Sequence, residues 1–193
     1  MKPIVVFGFL GATLDRSQGT DRWSRWRPTV AMCQQEDLLI SRLELFTEPK
    51  FESLVSQVVA DIRQVSPETV VRVHEMKFKD AWDFQEVYEG LYDFTRGYTF
   101  EPEKEDYLIH LTTGTHVAQI CWFLLNEANF LPARLLQTSP QRREGRDDAS
   151  VAGSYEIIDL DLSKYDRLAT RFAQEQEKTL DFLKGGIATK SMS

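Results

Sequence analysis

Strand-length apolar runs alternating with longer helical patterns predict a three-layer α/β domain. Its sheet is mostly parallel, with about six strands, and a C-terminal helix follows. Three observations carry this expectation. Pro3 to Phe9 is a near-continuous apolar run, the pattern of a strand covered on both faces. Two strand ends, at Gly8–Asp15 and Thr112–His116, turn abruptly from apolar residues to glycine, threonine and short polar side chains. Helical spacing returns after each strand, and right-handed crossovers then place helices on both faces of the sheet.

The elements follow in order. After Pro3–Phe9 comes a polar loop, Asp15 to Arg27. Pro28 suits the first turn of a short helix through about Glu36. Ile40 to Phe46 alternates apolar and polar residues and reads as the second strand. Phe51, Leu54, Val55, Val58, Val59 and Ile62 recur at helical spacing, and Ser66-Pro67 ends that helix because proline disfavours its continuation. Val70, Val71 and Val73 form the third strand. Asp80 is the expected cap of the next helix, which carries Trp82, Phe84, Val87, Tyr88, Leu91, Tyr92 and Phe94. Tyr107 to Leu111 is the fourth strand. Val117 to Phe130 is apolar nearly all round and reads as a buried helix. Arg134 to Gln137 is a short fifth strand, and Gln141 to Gly153, with Arg142, Arg143 and Arg146, is a loop. Tyr155 to Leu160 is the sixth strand. Ser163 to Lys184 is a last helix with Tyr165, Leu168, Phe172, Thr179 and Leu183 on one stripe.

Composition narrows the possibilities. The 193 residues, 42% of them apolar, suffice for one well-cored domain. A formal net charge of −7 disfavours long duplex nucleic acid, which is normally held by a basic face, but leaves room for a small nucleotide or an RNA end in a local pocket. Cys33 and Cys121 have no CxxC spacing and read as buried, reduced thiols. The N-terminus reads as a strand rather than a signal peptide, and no apolar run reaches about 18 residues. The expected location is the cytoplasm, without a membrane. There is no GxSxG elbow, no HExxH and no Cys/His nucleophile pair, and Gly185–Ser191 fails as a P-loop because Thr189 precedes Lys190. The chain is therefore expected to have no catalytic residues, metal or cofactor.

Two strand ends carry the candidate site. Gly11, Thr13 and Asp15 follow the first strand: the glycine would let backbone approach a phosphate or base, with Thr13 or Asp15 on a ribose, or the segment is a tight turn capped by Asp15. Thr112, Thr113, Gly114, Thr115 and His116 follow the fourth strand: threonine hydroxyls and backbone amides at a helix start suit an anion, or a threonine is an N-cap. His110 reads as a packed, hydrogen-bonded core histidine, and His74 as a strand-end surface residue without a role. Trp23, Arg25 and Trp26 interleave aromatic and basic groups that could contact bases or phosphates, or else plug the sheet edge. Ser139 ends the fifth strand and could line the same crevice, and Arg142 belongs to a local basic cluster.

The segments Val5–Asp15, Arg25–Asp37, Asp61–Thr69, Thr112–Trp122 and Leu136–Pro140 resemble the N-terminal regulatory domain of the RtcR family, bacterial regulators of an operon encoding RNA ligase and RNA 3′-phosphate cyclase. The resemblance runs along essentially the whole chain. It implies a Rossmann-like domain of CARF type that senses an RNA end or a short oligonucleotide, as a homodimer. It implies a following AAA+ ATPase that acts on sigma-54 RNA polymerase, and a DNA-binding domain. By this resemblance the chain divides into a sensing domain, 1–162, and a C-terminal helix and linker, 163–193, with Gly185 onward leading to the ATPase. The ligand positions it implies are Gly11, Thr13 and Asp15, then Thr112 to His116 with Gln119 one turn along. CARF proteins that bind cyclic oligoadenylate often carry Lys or Arg where this chain has His116, a departure that points to an RNA end such as a 2′,3′-cyclic phosphate. Two alternatives stand beside this reading. One is a ring nuclease that cleaves cyclic oligoadenylate with Thr113, His116 and Ser139, and the other is a protein-docking domain without a nucleotide.

Overall fold

A computed structural model describes residues 2–17, 19–140 and 151–158. Six strands form one sheet: β1 (Ile4–Phe9), β2 (Ile40–Thr47), β3 (Val70–Glu75), β4 (Asp106–His110), β5 (Ala133–Ser139) and β6 (Ser154–Ile158). Their spatial order is β3-β2-β1-β4-β5-β6. Every neighbouring pair is parallel except β5 and β6, which are antiparallel. β6 therefore closes this edge of the sheet with its direction reversed.

The helices are α1 (Pro28–Ala31), α2 (Glu52–Val65), α3 (Phe84–Gly97) and α4 (His116–Glu127). α1 is shorter than the expected span to Glu36, because the chain tightens into a 3-10 turn over Met32–Gln34 before entering β2. α3 is capped by Asp83, which accepts from the Glu86 N–H at 2.8 Å, and not by Asp80. Asp80 instead accepts from the Trp82 N–H at 2.9 Å, so Trp82 lies in the turn ahead of the helix. α4 is apolar on both sides but buries only one. Cys121, Trp122 and Leu125 are buried against the sheet, while Ile120 is 52% and Leu124 39% exposed on its outer face. The last expected helix, Ser163–Lys184, the end of the sixth expected strand, the division at 162/163 and Arg142 lie outside the described residues.

Both faces of the sheet are packed, which explains the unbroken apolar run of β1. On one face Val6, Leu43, Leu45, Leu108 and Leu136 meet Val30, Met32, Leu54, Val58 and Ile62. On the other the core is aromatic: Phe46 lies 5.2 Å from Trp122 and 4.7 Å from Phe94, and Phe7 lies 5.2 Å from Tyr98 between ring centroids. Such pairs add about 0.5–1.5 kcal/mol each beyond the area they bury.

A charged cluster sits on this aromatic face, toward the amino ends of β2 and β4. The Glu44 side chain is fully buried. It accepts from Arg42 Nε at 2.8 Å, from the Tyr98 hydroxyl at 2.9 Å and from His74 Nε2 at 2.6 Å. Arg42 also forms a two-pronged pair with Glu105, both contacts at 2.8 Å. Burial alone would push the Glu44 carboxyl up, but the hydrogen bonds from His74, Tyr98 and Arg42 outweigh it and hold the group below the usual carboxylate value. His74 is thus a half-buried member of this cluster rather than an idle surface residue.

Candidate functional site

The chain runs from β1 outward to β2 and β3, then returns to place β4 and β5 on the other side of β1. The switch point therefore lies between β1 and β4, where α/β sheets bind ligands at the carboxyl ends of strands. A cavity of about 470 Å³ opens there. Val87 of α3, Ala118 of α4 and four segments line it: Phe9–Leu14 from the end of β1, Phe46–Glu48 with Lys50 and Phe51 from the end of β2, Phe78–Trp82 after β3, and Thr112–His116 after β4.

The two expected strand ends are packed against each other. A side chain on Gly11 would place its Cβ 2.7 Å from Asp15 Oδ2 and 3.0 Å from Thr113 Cγ2, so the close approach requires glycine. Gly114 has φ +90°, and a Cβ there would meet Phe9 at 3.0 Å. Thr13 is exposed and lines the cavity. Asp15 does not. Its carboxylate is fully buried, accepting from the Gly11 N–H at 2.7 Å, the Thr29 N–H at 3.0 Å and the Thr29 hydroxyl at 2.5 Å. Burial pushes its carboxyl up, opposed by the Thr29 and Gly11 bonds. Its observed part is to fix the turn that carries Gly11 and Thr13.

The threonine hydroxyls are likewise committed inside the fold. Thr112 Oγ1 donates to the Thr138 carbonyl at 3.1 Å and accepts from the Thr138 N–H at 2.8 Å and from the Thr138 hydroxyl at 3.1 Å. The Thr138 hydroxyl has thus given its only hydrogen, so its oxygen accepts from His110 Nε2–H at 2.9 Å. His110 Nδ1 is then the acceptor for the Thr113 hydroxyl at 3.3 Å. His110 is buried and neutral, its pKa pulled down to about 4 by burial, which makes it the core histidine that was expected. Thr115 caps α4 by accepting from the Ala118 N–H at 3.1 Å and donates to the Ala81 carbonyl at 3.1 Å.

What remains for an anion is backbone. Among the described residues, the N–H groups of Thr113, Gly114, Thr115, His116 and Val117 have no hydrogen-bond partner. They converge at the start of α4, the positive end of its dipole. His116 is exposed beside them, its ring 6.4 Å from that of Trp82. Lys50, Lys79 and Trp82 also line the cavity and escaped the sequence reading, because only the order β2-β1-β4 brings their segments to this point.

Other expected contacts lie elsewhere. Trp23 stacks under Arg22 and Arg27, which both bind the buried Asp61 of α2, at 3.1 and 2.7 Å. This arrangement plugs the α1–α2 side of the sheet. Arg25 lines the same small cleft as Trp23, whereas Trp26 lies beside Gly153 near Ser139, and neither lines the cavity. Ser139 meets Ser154 at 3.0 Å across β5–β6, also away from the cavity, so Thr113, His116 and Ser139 do not converge. Gln119 is half-buried on α4 and does not line the cavity either.

Residues 2–186 match the family RtcR, Regulator of RNA terminal phosphate cyclase. The chain belongs to this family. It is 56% identical over 192 residues to the transcriptional regulatory protein RtcR of Escherichia coli (strain K12), a match that covers 99% of this chain but 36% of that relative. Among solved structures it is similar in fold to Enterococcus italicus Csm6 bound to cyclic hexa-2′-fluoro-hexa-dAMP, with TM-score 0.57 and 14% identity over 92% of this chain and 45% of the other. Protein VC1899 from Vibrio cholerae is also similar, with TM-score 0.51 and 8% identity over 77% of this chain and 36% of that one. At these identities the likeness concerns the fold alone, a mostly parallel α/β sheet. The chain spans about a third of the length of the Escherichia coli relative, itself a transcriptional regulatory protein.

Proposed function

We propose that this domain is the sensor of an RNA-repair regulator and that it binds a phosphate at the terminus of an RNA or short oligonucleotide. The observation that carries the reading is the set of unpartnered backbone N–H groups at the start of α4, opening into a cavity at the sheet's switch point. Phe9, Phe46, Phe51, Phe78 and Trp82 around that cavity suit a base, and Lys50 and Lys79 suit phosphate charge. In this reading the output is conformational. Occupancy favours one arrangement of a homodimer, and that arrangement governs a following AAA+ ATPase acting on sigma-54 RNA polymerase at DNA, in the cytoplasm. The domain itself binds without catalysis. Dispersal of Thr113, His116 and Ser139 disfavours the ring-nuclease alternative.

Native mass spectrometry tests this with short RNAs that differ only at the 3′ end: hydroxyl, phosphate or 2′,3′-cyclic phosphate. A phosphate-bearing end should bind more tightly than the hydroxyl end, and Ala12→Trp, which fills the cavity, should remove the difference. Equal binding of all three ends, or binding untouched by Ala12→Trp in a variant that still melts cooperatively, would overturn the reading.

A further inference from the structure

We propose that the indole of Trp82 is the stacking platform for the nucleobase adjoining the bound phosphate. The proposal rests on the reading above and deepens it. Trp82 is 62% exposed at the cavity, while the four phenylalanine rings lining it are buried or half-buried.

Its exposure does not come from a loose segment. The Trp82 N–H is bonded to Asp80, and the Lys79 and Asp80 N–H groups are bonded to the Glu86 carboxylate at 2.7 and 3.2 Å. The Ala81 carbonyl is tied to Thr115, the cap of α4. The turn is thus locked to both α3 and α4, and the backbone that carries the indole is fixed before any ligand arrives. Preorganisation of this kind removes much of the ordering cost of binding. Position completes the argument. The Trp82 ring lies 6.4 Å from the ring of His116, the first residue of α4, whose own N–H is among the unpartnered donors. One sugar links a phosphate to its base, and that link matches the short step from the helix start to the indole face. A flat apolar face serves any base, so Trp82 would contribute affinity with little base preference.

The test pairs a change in protein with a change in ligand. The probes are a tetranucleotide RNA ending in a 2′,3′-cyclic phosphate and the same RNA with its terminal base removed. Trp82→Ala should weaken the complete RNA about tenfold or more, in keeping with the loss of one base–aromatic stack. It should leave the abasic RNA nearly unchanged, so that the two deletions are non-additive. Trp82→Phe should recover most of the affinity, and tryptophan fluorescence should be quenched by the complete RNA in the wild type but not in Trp82→Ala. Equal weakening of both RNAs, or none of either, would overturn the role of Trp82 while leaving the phosphate site standing. If neither RNA binds the wild-type protein, the site reading falls and the platform with it.

Discussion

Two buried polar clusters share this sheet and solve the same problem in opposite ways. Beneath the cavity, His110, Thr112, Thr113 and Thr138 form a closed neutral chain in which each hydroxyl hydrogen has one acceptor. Toward the other end, Glu44, Arg42, Glu105 and His74 form a charged cluster in which one buried carboxylate has three donors. A neutral floor places no fixed charge beneath an incoming anion, whereas the charged cluster fastens β2, β3 and the segment before β4 together. On the proposed function, the contrast separates a region that receives a ligand from one that holds strands in register.

The sharpest way to break this contrast is Glu44→Ala. It leaves Arg42 and His74 without their buried partner and should cost about 3 kcal/mol in urea unfolding, since removing one member of a buried pair strands the other. A loss below about 1 kcal/mol would mean that solvent compensates the cluster. His110→Ala should cost about 2 kcal/mol in the same assay, through a cavity and a Thr113 hydroxyl left without its acceptor.

The two clusters should also part company in acid. The folded-state pKa of His110 is lowered from 6.5 to about 4, so the unfolded chain takes up its proton first. Stability should therefore fall as pH drops from about 6.5 to about 4, by up to about 1.4 kcal/mol per pH unit, and this slope should flatten in His110→Gln. Glu44 works in a lower window. Its carboxyl is held below 4.5, so its contribution is present above that value and is lost as pH falls through the lowered one. Melting temperatures of wild type, His110→Gln and Glu44→Gln from about pH 2 to about pH 7, read with the midpoint unfolding entropy, would separate the two windows. The smallest effect should come from Lys79→Ala, which should leave stability unchanged, weaken a phosphate-ended RNA about threefold and lower the salt dependence of binding by about one charge.

The physics of local pattern made part of this molecule legible. A near-continuous apolar run marked β1 as a strand covered on both faces, and residues 112–116 stood out because three threonines, a glycine and a histidine at one helix start exceed what capping needs. His110 was readable as a core residue from its place inside such a run. What the sequence hid was long-range. Strand order alone brings Lys50, Lys79 and Trp82 to the cavity, and strand register alone gathers Arg42, Glu44 and His74. Nothing local announces that Asp15 folds back on Thr29, fourteen residues later. Nor does helical periodicity tell which side of α4 meets the sheet when both sides are apolar. The cap of α3 was misplaced by three residues, because Asp80 and Asp83 carry the same side chain and it is Asp83 that accepts from the Glu86 N–H.

Gly114 has a consequence for how this gene can vary. Its backbone angle excludes side chains by strain, and Phe9 excludes them by contact, so the two penalties fall on one codon. In a library of all single substitutions, position 114 should accept a single letter while the neighbouring exposed His116 accepts many. The boundary between intolerant and tolerant codons would then trace the line where the fold's own requirements stop and ligand selection begins.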